Sequence, residues 1–190
     1  MAISNVSIAN DALVALGADR ISSLTQDTKS AKVINMVFES VRSACLRRHP
    51  WSFAVARASV AADGDQTAWG GLNRYAKPND FVRLIRDNES GVRLDWAIEG
   101  RYIVTRDAAP LQFKYIRNVT DPTEVDSLFA EYLSLSLAVR MCKAITGSTG
   151  QADALRQELR RVVQDARQAN AFEKDAQVSL KDDWVLAGNR

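Results

Sequence analysis

"RRHPWSF", Arg47 to Phe53, holds the single histidine of the chain between two arginines and a Pro-Trp pair. Pro50 decides how the fold is read. It lacks the N–H a continuing helix would use, and it pushes the preceding residue out of the α region. A helix arriving from upstream must therefore stop at about Arg48, with His49 in its last turn or just beyond. Arg47, Arg48 and a partly charged His49 would complement the negative end of that helix, each contributing about 0.3–1 kcal/mol. His49, Pro50 and Trp51 are thus read as a structural junction, a helix stop followed by an aromatic anchor. No nucleophile–base–carboxylate set surrounds His49 in sequence to make it catalytic.

Upstream of the junction the pattern is helical. Val6, Ala9, Leu13 and Leu16 recur at 3-4-3 spacing, with Gly17 placed to end that helix. After the loop "ADRISSLTQD", a second helix from about Thr28 to Arg48 carries Val33, Ile34, Val37, Phe38, Val41 and Cys45 on one face. Lys32, Glu39 and Arg42 are expected on the other.

Downstream the period changes to two. Val92, Leu94, Trp96 and Ile98 alternate with Arg93, Asp95 and Ala97, "EG" at Glu99-Gly100 marks a two-residue turn, and "RYIVT" returns as a hairpin. "YAKPNDFVRLIRD" and "LQFKYIR" supply further strands, so four or five antiparallel strands in a meander are expected from Trp51 to Arg117.

Helical periodicity resumes at "DPTEVDSLFAEYLSLSLAVRMCKAITG". Asp121 is placed to N-cap, Pro122 to take the first helical position and Glu124 to complete a capping box. Apolar residues from Leu128 to Ile145 surround this helix, which predicts the buried centre of the fold, ended by Gly147. A fourth helix sets Leu155, Leu159, Val162, Ala166 and Ala169 at 4-3-4-3 spacing, and its pattern stops after Asp175. The expected class is α+β: a four-helix bundle with an inserted antiparallel β-meander and an extended C-terminal tail. In one domain, 1–190, the helical part spans 1–50 and 121–175, the β insertion 51–120 and the C-terminal arm 176–190.

Composition narrows the function classes. The chain has 190 residues, 46% hydrophobic and 25% charged, with a net charge of +2. That charge is too small for dedicated nucleic-acid binding. Two cysteines among apolar neighbours suit buried thiols of a reducing cytosol, and with one histidine they cannot complete a structural zinc site without carboxylates. No stretch has the length and apolarity of a membrane span, and the N-terminus lacks the pattern of a signal peptide. GxGxxG, Walker, GxSxG, HExxH and CxxC patterns are all missing, so no cofactor is expected. "TGSTG", Thr146 to Gly150, lacks the lysine of a phosphate loop and reads as a helix–helix turn. Arg83, Arg86, Arg93 and Arg101 could form a basic sheet face, partly balanced by Asp80, Asp87, Asp95 and Glu99.

Five segments in fixed order carry a resemblance: "IANDALVALGADRISSLTQDTKSAKVINMVFESVRSACLRRHPWSFAVAR", "Y…P.DFVRLIR", "IEGRYIVT", "YI.NVTDPTEVDSLFAEYLSLSLA" and "ITGS". Over about residues 3 to 175 the chain resembles the tail tubular protein A family of short-tailed bacteriophages. The most specific pieces are "R.HPW.FA", "EGR.I.T" and "TDP…F…A". The resemblance implies a head-to-tail adaptor, or gatekeeper, made in the bacterial host cytoplasm and built into the virion. There it forms a dodecameric ring with itself, between the portal protein and a tail nozzle resembling tail tubular protein B. DNA passes through without specific binding, and neither enzymatic activity nor a membrane is involved. The alternatives are a phage-tail hydrolase of cell-wall glycan, with carboxylates brought together by the fold, and a DNA-binding protein.

The arm "LKDDWVLAGNR" matches no motif. Its Trp184, Val185 and Leu186, beside charged Lys181, Asp182 and Asp183, are the candidate partner-binding residues, for the portal or a neighbouring adaptor subunit.

Overall fold

The computed structural model describes residues 3–64, 71–85 and 96–182, the last ten (173–182) by backbone alone. Four helices and two small antiparallel sheets make a mixed α+β chain. It divides into two compact units, Met1–Phe53 with Thr120–Arg190, and Ala54–Val119.

In the helical unit α1 spans Asn5–Ala15, and Ser4 and Ser7 form a reciprocal cap at its start. Its inner face is Ile8, Ala9, Ala12 and Leu13, continued by Leu16, while Val6 is only half-buried. Gly17 follows at φ +67°, the left-handed conformation that closes a helix end. Asn10 ties down the loop beyond, accepting from the Ile21 N–H (2.8 Å) and donating to the Ile21 carbonyl (3.0 Å).

α2 spans Lys29–Arg48, capped by the Thr28 hydroxyl, and His49 is its extended C-cap (φ −144°, ψ 147°). Both ends fall where Thr28 and Pro50 place them. One side chain does not: Arg42, expected on the outer face, is 4% exposed. It lies on the i, i+4 row that runs Ile34, Phe38, Arg42, and it pairs with Glu39 one turn back, which compensates its charge.

α3 spans Ser127–Thr146 and packs against α1, α2 and α4, burying Phe129, Tyr132, Leu133, Leu137, Ala138 and Met141. It starts one turn later than expected. Asp121 caps only a 3₁₀ turn, Pro122–Glu124; Val125 then adopts an extended backbone and is buried, so the chain must restart its helix. Asp126 caps that restart, accepting from Leu128 N–H (2.8 Å) and Phe129 N–H (3.3 Å). Gly147, at φ +71°, ends α3, and "TGSTG" is a helix–helix turn in which the Ser148 hydroxyl accepts from Gln151 N–H. α4 spans Gly150–Asp182, so the helix continues seven residues beyond the end of the apolar spacing at Asp175. Up to Asp182 the arm is helical rather than an extended tail.

The inserted unit is not a meander. β1 (Val55–Val60), β2 (Asn73–Ala76), β3 (Phe81–Leu84), β4 (Ala97–Glu99), β5 (Tyr102–Thr105) and β6 (Leu111–Arg117) form two three-stranded sheets, ordered β1-β6-β3 and β2-β5-β4. β6 takes the central place of the first, and its alternate residues Leu111, Phe113 and Tyr115 are buried. The β4–β5 hairpin forms with Glu99 opposite Tyr102, so its two-residue turn is Gly100-Arg101, one position later than expected. Gly100 takes φ +55° there, the first central position of such turns. Both sheets share a core of Tyr75, Leu84, Trp96, Ile103, Leu111, Phe113 and Tyr115. Ile98, expected on the same face as Trp96, is 41% exposed.

The insertion begins at Ala54 rather than at Trp51, because Trp51 and Phe53 belong to the helical core. Trp51 is 3% exposed and meets Phe129 edge-on at 5.2 Å and Tyr132 at 5.9 Å, and Phe53 meets Phe129 at 5.0 Å. Truncating such a ring removes both its transfer energy and its packing. Trp51→Ala is expected to cost about 3–5 kcal/mol, read as a large fall in the urea midpoint; a variant as stable as wild type would show that the indole anchors nothing.

Candidate functional site

The junction residues His49, Pro50 and Trp51 come together with a residue that local sequence gave no reason to single out, Asn170 of α4. Its side chain is 7% exposed and fully used. The Ser52 N–H and the Ser52 hydroxyl both donate to Asn170 Oδ1, each at 2.7 Å. The backbone N–H can only donate, so the oxygen of the amide must face Ser52. Asn170 Nδ2 therefore faces the Pro50 carbonyl at 3.3 Å and His49 Nε2 at 2.9 Å, donating to both. In this arrangement His49 Nε2 is an acceptor and its ring proton sits on Nδ1.

Trp51 completes the helix stop. Its indole N–H donates to the Cys45 carbonyl in the last turn of α2 at 3.2 Å. His49 stacks edge-on against the same indole at 4.9 Å.

Beside this knot lies a cleft of about 240 Å³. Trp51, Phe53 and Val125 supply apolar wall, Ala166, Ala169 and Asn170 of α4 the opposite side, and Glu124 and Asp126 the rim. Asp126 is occupied as the α3 cap. All of these residues belong to the helical unit.

The chemistry of the neighbouring titratable groups is that of a core. Burial raises the pKa of the Cys45 thiol, against smaller opposing effects of Ser136, Tyr132 and Arg48. Burial likewise raises that of the Tyr132 phenol, with the nearby Cys45 adding to the shift. A thiol held protonated is the reverse of a nucleophilic cysteine. Cys142 is also a free, buried thiol. Among the described residues, no three His, Cys, Asp or Glu side chains come together as a metal-ligand set, and no helix is long and apolar enough to cross a membrane.

Of the other candidates, Trp184, Val185 and Leu186 lie outside the described residues, as do Arg86 and Arg93 of the basic strands. Asn170 could have been suspected only as a polar residue at the end of the stripe Val162, Ala166, Ala169, since its partners lie about 120 positions away. No family model matches the chain, and comparison with curated proteins finds no match.

Two predictions follow from the geometry. Asn170→Ala removes the acceptor of the Ser52 N–H and hydroxyl and is expected to cost about 2–3 kcal/mol, against about 1 kcal/mol for His49→Ala. A double-mutant cycle by urea unfolding should show the two coupled. Cys45 and Tyr132 both hold their protons more tightly folded than unfolded. Their contribution is complete below the unfolded thiol value of 9.0 and is lost as pH rises toward the folded values. The urea midpoint should therefore fall steadily above about pH 9, and less steeply in Tyr132→Phe.

Proposed function

We propose that the chain is a head-to-tail adaptor of a bacteriophage particle, a virion structural protein that forms a ring between portal and tail nozzle. One observation carries the reading: the three most specific resembling segments fall on the joints of the fold. "R.HPW.FA" is the knot where the helical unit gives way to the β insertion, "EGR.I.T" is the β4–β5 hairpin, and "TDP…F…A" is the capped entry into α3. In this reading the four helices form the bundle of the adaptor, the β unit is its insertion, and DNA threads the ring without specific binding.

Ring subunits need two different, complementary surfaces. Met36 of α2, 82% exposed, and Phe172 of α4, 66% exposed, are large apolar side chains on helices otherwise dressed with charge, and they supply material for such surfaces. A net charge of +2 suits a conduit that must release DNA. The glycan-hydrolase alternative draws less support, since one of the two cleft carboxylates, Asp126, is engaged in capping α3.

The test is native mass spectrometry and negative-stain microscopy of the purified protein, alone and with the portal of its own phage. Twelve copies of the 21.0-kDa chain in a closed ring are expected on the portal. A protein that stays monomeric at micromolar concentration in both conditions would overturn the adaptor reading.

A further inference from the structure

We infer that the junction of α3 and α4 is a phosphate-binding site, one that takes a phosphate ester by its anionic oxygens and does not read the group attached to it. The inference stands apart from the adaptor reading.

A concave site of about 350 Å³ lies where the last turns of α3 meet the first turns of α4. Ligand pockets begin at about 300 Å³. α3 contributes Arg140 and Lys143, α4 contributes Arg156 and Asp153, and the turn between them contributes Ser148 and Thr149. The segment "TGSTG" has no lysine of its own, and the fold brings three cations to it from the two helices.

Their charge is not balanced within the chain. Asp153 is the one carboxylate among the lining residues, and Arg156 holds it at 2.5 Å. Among the described residues, neither Arg140 nor Lys143 takes part in an ion pair. Helix electrostatics account for Lys143, which lies in the last turn of α3 at the negative end of the dipole. They do not account for Arg140. It stands one turn earlier, where that effect has faded and a like charge three residues away is unfavourable. Three cations against one engaged carboxylate leave the site short of negative charge, and a phosphate monoester carries about −1.5 to −2 at pH 7.

The hydrogen-bonding polarity agrees. Arginine and lysine only donate. The Ser148 hydroxyl already accepts from the Gln151 N–H at 3.3 Å, which leaves its O–H to donate. A site of donors suits an acceptor-only anion. The turn is also held in place in advance, since the Gln151 amide donates to the Ala15 carbonyl at 3.4 Å and the Ser148 N–H to the Thr146 hydroxyl at 3.1 Å. Val139 and Ala152 are the apolar lining, and no aromatic ring is among the lining residues for a base to stack on. The recognised group is therefore the phosphate itself.

The full-length protein tests this by amide NMR and calorimetry at constant ionic strength. Inorganic phosphate should shift the amides of Ser148 to Asp153 saturably, with a Kd on the order of 1 mM. Adenosine and cytidine monophosphate should bind alike. Arg140→Gln combined with Lys143→Gln should weaken phosphate about tenfold or more. Arg161→Gln combined with Arg167→Gln removes the same charge from exposed positions of α4 outside the site and should leave binding unchanged. Asp153→Asn releases Arg156 and should tighten binding severalfold. That gain decides the matter if the Arg140 and Lys143 variant does not fold.

No saturable shift up to about 20 mM phosphate, or equal weakening by the two double variants, overturns the inference. So does a tenfold preference between the two nucleotides. Phosphate displaced by a short DNA duplex assigns the site to the phosphodiester backbone, and phosphate that the duplex leaves in place assigns it to free phosphate esters. Either result upholds the site.

Discussion

Pro50 imposes the constraint on which the helical unit depends. It stops α2 just after the exposed Arg47 and Arg48, at the half-buried His49 and Pro50, where the last turn of the helix and the first N–H groups of the next segment need new partners. Two side chains meet that demand. The Trp51 indole takes the Cys45 carbonyl, and the Asn170 carboxamide takes the Pro50 carbonyl, the Ser52 N–H and the His49 ring. Because the first comes from the junction and the second from α4, ending one helix fixes the position of another 120 residues away. The aromatic packing of Trp51 and Phe53 on Phe129 then locks α3 into the same knot.

The same junction explains how a β unit can be inserted without dividing the helical core. Val55, at the start of β1, pairs directly with Ile116 near the end of β6. Antiparallel partners lie about 4.5–5.5 Å apart, so the insertion leaves and re-enters at nearly one point. Its own core is closed by polar contacts internal to the unit. The Asp107 carbonyl accepts from the Tyr75 hydroxyl at 2.7 Å and its carboxylate from the Trp96 indole, while Tyr115 donates to Asp80 at 3.0 Å. A unit with adjacent ends and a core of its own can be added to a helical scaffold with little demand on it.

What the sequence discloses and what it hides divide along contact range. The ends of α2 are legible because Thr28 and Pro50 act locally, and the burial of α3 because its apolar residues surround it. Strand order is not legible: period-two alternation tells which face of β6 is buried, but nothing local tells β6 to sit between β1 and β3. The α3 start is displaced because two aspartates, Asp121 and Asp126, compete as caps, and the burial of Val125 between them settles the choice. Arg42 misleads because charge outweighs spacing when a helix face is read, although its i, i+4 row with Ile34 and Phe38 was visible. For the site, His49, Pro50 and Trp51 are legible as a joint, whereas Asn170, the residue that holds the joint, is a single polar residue whose meaning depends wholly on distant partners.

The cleft beside the knot is a place where the helical unit is packed less tightly than a protein interior. Protein interiors are close-packed, and a sealed void costs on the order of 24 cal/mol per Å³. A cleft of about 240 Å³ would be a heavy burden if sealed. Open to solvent it is hydrated and costs less, but the apolar wall formed by Trp51, Phe53 and Val125 still loses the contacts that filling would supply. Larger residues in place of Ala166 and Ala169 would supply those contacts. Small residues at 166 and 169 therefore leave part of the possible packing at the knot unrealised.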